Sequence, residues 1–575
     1  MNSETQSCQN CKKDFVIESE DFLFYERIKV PAPTFCPDCR KQRRLAWRND
    51  FFLYSRSCDL CKKSIVSVYA PGTKRIIYCS KCWWSDQWSA DEYARDFDFS
   101  RPFFKQFREL QETVPALALI NDNDIASVNC EYTQDFAFGK NCYLCFISWN
   151  VENCRFSVYL DGVKEIVDSM GVFENAEYIY ESMFVDSSYR CRNIYFSRNM
   201  QESSFCYDCH DSSHCFLSAG LRHKQYYIKN QPYAKEEYEK AIAVYRLDTH
   251  TGVERAKKEF SEVLLKFPRK FANVIRSINS IGDCMDQCKN VFQSFNVGAT
   301  ENSKYLQDCE RSKDGYDISV GGEWSECYES VTPDQSYRGL FTIYSWKNTE
   351  VSYSDSCHSS HYLFGCVGVK KGQYQIFNKQ YSKEDYITMR QKVVEHMQQT
   401  KEWGEFFPAH MSPFGYNISS ANLYFPLDRE RALAQGFQWE EQIQLTRGAE
   451  TIQEIPDSIR DAPGTIIKET LACKTCQRNY KILPPELEFY KSMSIPIPRE
   501  CFYCRNLARF KFRNPQKLWH RICTCGGVQS QNRIYQNQAS HSHGTGSCPN
   551  SFETAYAPDR PEIVYCEQCY QSEVI

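Results

Sequence analysis

Cys8-x2-Cys11 and Cys36-x2-Cys39, near the start of the chain, return 465 residues later as Cys473-x2-Cys476 and Cys501-x2-Cys504. More than cysteine returns at that shift. Phe24-Tyr25 becomes Phe489-Tyr490, Pro31 and Pro33 become Pro496 and Pro498, and Arg40, Arg44 and Arg48 become Arg505, Arg509 and Arg513. A C-x2-C knuckle offers two thiolates to one ion, and two knuckles close the tetrahedral shell of a structural zinc site. Four protein ligands leave no open position for catalysis. The gap of 24 residues between the knuckles is slightly long for such a site, and its repetition carries the assignment.

A second pair of knuckles follows each copy. Cys58/Cys61 and Cys79/Cys82 are separated by 17 residues, an ordinary four-cysteine spacing. In the C-terminal copy Cys58 corresponds to Cys523 at the shift of 465, but Cys61, Cys79 and Cys82 correspond to Cys548, Cys566 and Cys569 at 487. Tyr69-Ala70-Pro71 moves with them to Tyr556-Ala557-Pro558, so 22 residues (487 minus 465) are inserted after the first ligand. The expected shell is Cys523 or Cys525 with Cys548, Cys566 and Cys569, and His541 and His543 lie in the insert as spare imidazoles. Four sites call for about four zinc ions.

The run of C-x2-C, Phe-Tyr, a proline step and C-x2-C-Arg, carried by Cys8, Cys11, Phe24, Tyr25, Pro31, Pro33, Cys36, Cys39 and Arg40, resembles a small bacterial family of probable zinc-ribbon/treble-clef domains. The resemblance covers roughly 45 residues at each end. It implies zinc and a treble-clef-like fold, and no reaction. Arg27-Ile28-Lys29 stands where that family often has glycine after Phe-Tyr. The whole architecture resembles long cysteine-rich bacterial proteins with no assigned activity.

Arg40, Arg44 and Arg48 follow the second knuckle at i, i+4 and i+8, one face of a helix, and Arg505, Arg509 and Arg513 repeat that face. One reading is a ridge for phosphates, because guanidinium forks match phosphate oxygens. The other is pairing with the protein's own Asp and Glu. Six phosphate contacts would give a log K versus log salt slope of roughly −4 to −5.

The centre is written differently, in short runs rich in Asn, Ser, Tyr, Phe and Cys. Asn-Cys recurs at 129–130, 141–142 and 153–154, a period of twelve that suggests a β-solenoid. Lys140–Asn153 matches Lys289–Asn302 at an offset of 149, whereas Tyr180, Tyr189 and Cys209 match Tyr328, Tyr337 and Cys357 at 148. Two copies of one solenoid unit therefore differ by one residue. The tightest central cluster, Cys206, Cys209, His210, His214 and Cys215, and its counterpart Cys357, His358, His361 and Cys366 could hold metal or do chemistry. Against this, Cys142 maps to Val291 and Cys154 to Ser303, which suits a packed thiol better than a ligand.

The expected order is a treble-clef module (1–57), a four-cysteine ribbon (58–99), a helical linker (100–125), a solenoid unit (126–232) and a helical insert (233–280). A second solenoid unit (281–381), a helix with an aromatic and proline-rich connector (382–470), a second treble clef (471–522) and a ribbon with an insertion (523–575) complete it. The fold class is β-rich, multi-domain α+β. Aromatic residues of the connector are expected to pack on the scaffold; the alternative is a stacking platform for bases. The net charge of −4 gives no global pull toward nucleic acid. No apolar run approaches 18 residues, the N-terminal MNSETQSCQNC does not resemble a signal peptide, and paired cysteines suit a reducing compartment, so a cytoplasmic protein is expected. The leading function is a non-enzymatic zinc protein presenting basic helices to RNA or DNA. The alternatives are a zinc-stabilised scaffold binding protein partners through the solenoid, and an enzyme using the central Cys/His cluster.

Overall fold

Through the central segments every third residue lies in the left-handed backbone region: Asn129, Tyr132, Asp135, Phe138, Asn141, Leu144, Ile147 and Asn150 begin the series. Each such residue turns the chain a quarter of the way round, so four three-residue sides close a coil of twelve. The computed structural model, which describes residues 2–123 and 125–574, shows these coils stacked in parallel. Val158 pairs with Phe146 before it and Met170 after it, each twelve residues away. A left-handed residue bearing a Cβ costs about 1–2 kcal/mol, a cost offset by backbone hydrogen bonds from each coil to the next. Asn, which tolerates this conformation better than most residues with a Cβ, recurs at these corners, and Asn129, Asn141 and Asn153 hydrogen-bond one to the next along the stack.

One residue of each three points inward. Cys130, Thr133, Phe136 and Gly139 fill one coil, and Cys142, Cys145, Ser148 and Val151 the next, all buried. Four sides of three residues leave a narrow bore, filled mostly by small side chains, with glycine opposite a large one, as Gly139 stands against the Phe136 ring. Inward serines also link the coils: Ser148 Oγ donates to Phe146 O (3.0 Å) and accepts from Leu160 N (3.2 Å). Cysteine makes the same backward contact, as in Cys142 Sγ to Lys140 O at 3.3 Å. The single-residue difference between the copies falls in one place: Lys164 pairs with Glu177, thirteen residues on, where Glu174 and Asn175 are both left-handed.

The chain divides into two compact units, and each is discontinuous in sequence. The first joins 1–119 to 272–443, and the second joins 120–271 to 444–575. Within the first, the N-terminal cysteine modules pack on the later solenoid segment. Within the second, the C-terminal modules pack on the earlier one. The helical insert forms as the helices Lys235–Ala243 and His250–Leu264, the latter capped by Thr249 Oγ1 accepting from Gly252 N. The helix after the later segment spans Lys383–Gln399, capped by Ser382. Phe103–Thr113 begins after Pro102 with no cap of its own; Glu402 accepts its first N–H groups, from Phe103 and Phe104, both at 2.8 Å. The connector's aromatics are packed, with Phe406 and Phe407 fully buried beside Trp47, Phe107 and Tyr353.

Candidate metal centres

The first three cysteine modules share one plan, and the fourth keeps its helix half while the insert parts its strands Trp519–Ile522 and Ser551–Thr554. A β-hairpin carries the first pair in its turn: Glu4–Ser7 with Asp14–Ile17, and Tyr54–Ser57 with Ser64–Ser67. Lys12 and Lys62, one residue past the second cysteine, are left-handed and let the turn close. The second pair sits on a helix start. Cys36 caps Pro37–Leu45, Cys79 caps Ser80–Trp83, Cys501 caps Phe502–Phe512 and Cys566 caps Glu567–Glu573. The free N–H groups and positive dipole end of a helix favour thiolate there.

Four groups of cysteine sulfurs gather within 4.8 Å: Cys8/Cys11/Cys36/Cys39, Cys58/Cys61/Cys79/Cys82, Cys473/Cys476/Cys501/Cys504 and Cys523/Cys548/Cys566/Cys569. Across the pairs, Cys11 and Cys36 lie 3.7 Å apart, Cys61 and Cys79 4.0 Å, Cys476 and Cys501 3.7 Å, and Cys548 and Cys566 3.9 Å. Sulfurs about 2.3 Å from a common tetrahedral ion lie about 3.8 Å apart, whereas a disulfide needs about 2.05 Å. The groups thus fit a metal and exclude bridges. Donors converge on the sulfurs as well: Cys36 N reaches Cys8 Sγ at 3.2 Å, and Cys79 N reaches Cys58 Sγ at 3.3 Å. Burial raises the Cys8 thiol, but backbone N–H groups of Cys36, Cys11 and Asn10 outweigh it and bring it to about 7. Cys58 and Cys473 are lowered to about 7 by the same balance.

Cys523, not Cys525, completes the fourth cysteine set. Cys525 instead meets His541, His543 and Cys569 in a further group.

The six repeated arginines do not face solvent. Arg40, Arg44 and Arg48 are at most 1% exposed, and Arg505, Arg509 and Arg513 at most 9%. Arg40 Nη2 and Arg44 Nη1 clasp Asp317 at 2.9 and 3.0 Å, and Arg43 Nη2 meets Glu329 at 3.2 Å. Arg48 pairs with Asp50 and donates to Thr332 Oγ1. In the other unit Arg505 and Arg509 share Asp168 Oδ1, at 2.8 and 3.4 Å, and Arg513 lies over Phe184 and meets the Met170 sulfur. Of the two readings of the ridge, the geometry is that of pairing with the protein's own carboxylates. The physical reason is that the helix must bury its inner face, and arginine stems pack while their heads find buried acids.

Asp168 and Asp317, with Glu329, were not singled out from sequence. The signal existed: Asp317 is Asp168 at the solenoid offset of 149, and Glu329 is Glu181 at 148.

Thirteen of the fourteen central cysteines are buried within the solenoid, and the half-buried Cys284 stands at a left-handed corner. Cys206, Cys209 and Cys215 point inward, while His210 lies outward against Asp208 at 3.1 Å and His214 against Tyr226. Among the described residues, no group of central side chains gathers as a metal set would. His358 lies against Trp346 with ring centroids 3.7 Å apart and planes tilted by 33°, away from its buried neighbour Cys357. No helix among the described residues is long and apolar enough to cross a membrane.

No protein-family model and no curated protein matches this chain.

Proposed function

We propose that this chain is a non-enzymatic scaffold for protein partners, in which zinc-held, treble-clef-like modules clamp β-solenoid segments and the uncovered solenoid face does the binding. The observation that carries this reading is the inward direction of both arginine ridges: the modules grip the solenoid through Asp317 and Asp168, which turns these guanidinium groups away from solvent. Metal then has a structural role, holding hairpins too small to keep their own core. The cytoplasm suits so many reduced thiols.

The uncovered face favours protein over nucleic acid. Its charges alternate along the stack: Glu152 bridges Lys140 and Lys164, and Arg338 bridges Glu326 and Glu350. Such a ladder has no phosphate-seeking field. The same face bears exposed tyrosines at matching positions of the two copies, Tyr189 with Tyr337 (43% and 39% exposed). Exposed tyrosine is a frequent anchor in protein interfaces.

Two measurements test the proposal. Titration of labelled single-stranded RNA and duplex DNA is expected to show no binding with a steep salt dependence; a log–log slope of roughly −4 to −5 would restore the nucleic-acid reading. Partner capture at high salt is expected to fail for Tyr189→Glu with Tyr337→Glu while metal content stays unchanged. Capture insensitive to both substitutions would remove the solenoid face from the reading.

A further inference from the structure

The insert that distinguishes the C-terminal ribbon from its N-terminal counterpart contributes Cys525, His541 and His543, and folds them back beside the fourth cysteine set. We propose that this module holds a binuclear metal centre with Cys569 as the shared thiolate. One ion is bound by Cys523, Cys548, Cys566 and Cys569. A second is bound by Cys525, His541, His543 and Cys569.

Both imidazoles are oriented for this. His543 Nδ1 donates to Gly546 O at 2.9 Å, which leaves Nε2 as the lone pair, 3.3 Å from Cys569 Sγ. Sulfur and nitrogen on one tetrahedral zinc lie about 3.5 Å apart. His541 Nε2 donates to Glu573 Oε1 at 2.9 Å, and its Nδ1 is buried with no hydrogen-bond partner. His541 is 7% exposed and that lone pair has no protein partner, and a buried orphan of this kind calls for a ligand. A carboxylate on the far nitrogen is the usual support of a metal-binding histidine.

Glu573 is itself fixed by Tyr535 Oη and by the backbone N–H groups of Gln538 and Ala539, so the insert is tied to the last helix at the point where the imidazole must be aimed. Cys525 accepts from Asn537 Nδ2 at 3.2 Å, and the Cys548 N–H donates to Cys525 O at 2.9 Å, joining the two ligand sets through the backbone. Two dications against five thiolates leave one negative charge, which these donors offset. Two sulfurs and two imidazoles suit zinc. The N-terminal ribbon has no such insert, and Cys82, the counterpart of Cys569, belongs to one group only.

Elemental analysis of the purified full chain is expected to find one ion for each of the five groups, and one fewer after His541→Gln with His543→Gln. Cadmium NMR with a spin-active isotope is expected to show one pair of cadmium resonances coupled through the shared sulfur, and to lose the coupling in that variant. If the variant does not fold, the wild-type count and coupling decide alone. Four ions in the wild type, or five without a coupled pair, overturn the shared centre and leave the clamp reading intact. Fewer than four overturn both.

Discussion

Asp168 and Asp317 occupy equivalent corners of the two solenoid segments, each left-handed (φ 53 and 59) and each fully buried beneath two guanidinium groups. Breaking a buried pair from one side costs about 3–5 kcal/mol, because the remaining charge is left without a partner. Asp317→Ala is expected to lower unfolding stability in urea by that amount, whereas Lys140→Ala on the exposed charge ladder is expected to cost less than about 1 kcal/mol. A second residue gives the fold a pH limit. Burial first, then the Lys370 ammonium, push His358 down to about 3 from an ordinary 6.5. The unfolded chain therefore binds the proton that the folded chain refuses. The stability held above pH 6.5 is lost as pH falls, by about 1.4 kcal/mol per unit. Thermal melts between pH 6.5 and 5.5 are expected to show a smaller drop for His358→Phe than for the wild type. The spacing of the arginines was legible in sequence, but their direction was not. A ridge looks the same whether it faces water or an acid that lies hundreds of residues away.

The solenoid coil explains why its period was only partly visible. Left-handed corners accept Asn, Tyr, Phe and Glu alike, and the bore accepts Cys, Ser, Val or Ile, so neither position keeps one letter. Only the three Asn-Cys steps showed the twelve, and the thirteen-residue coil at Lys164–Glu177 broke the count. The hairpin knuckles were legible for the opposite reason: a metal tolerates only sulfur or imidazole at a set spacing. The insert's imidazoles were seen as spare because their return to Cys525 and Cys569 depends on Glu573 at the end of the chain. These two kinds of cysteine separate by substitution. Cys142→Val, which places in one segment the residue that stands at Val291 in the other, is expected to cost less than about 1.5 kcal/mol and to leave metal content unchanged. Cys501→Ser is expected to lose one metal equivalent and the hairpin with it. Elemental analysis beside circular dichroism distinguishes the two.

At the scale of the molecule, neither half of the chain contains a whole unit. Residues 1–119 belong with 272–443, and 120–271 with 444–575. A cut after residue 271 therefore strands the N-terminal modules without Asp317 and Glu329, and the earlier solenoid segment without the helix that covers Asp168. The fragments 1–271 and 272–575, made separately, are expected to be aggregation-prone, with exposed apolar surface reported by dye binding. Made together they are expected to associate and recover the metal content of the full chain. The interleaving also sets a timetable on the ribosome. Arg40 leaves the tunnel 277 residues before the aspartate that receives it, an interval of about 14–55 s at roughly 5–20 residues per second. Arg505 emerges 337 residues after its own acceptor and finds it waiting. The nascent polypeptide thus passes through a stage, absent from the finished protein, in which a helix of uncompensated cations is open to whatever polyanion or chaperone stands nearby.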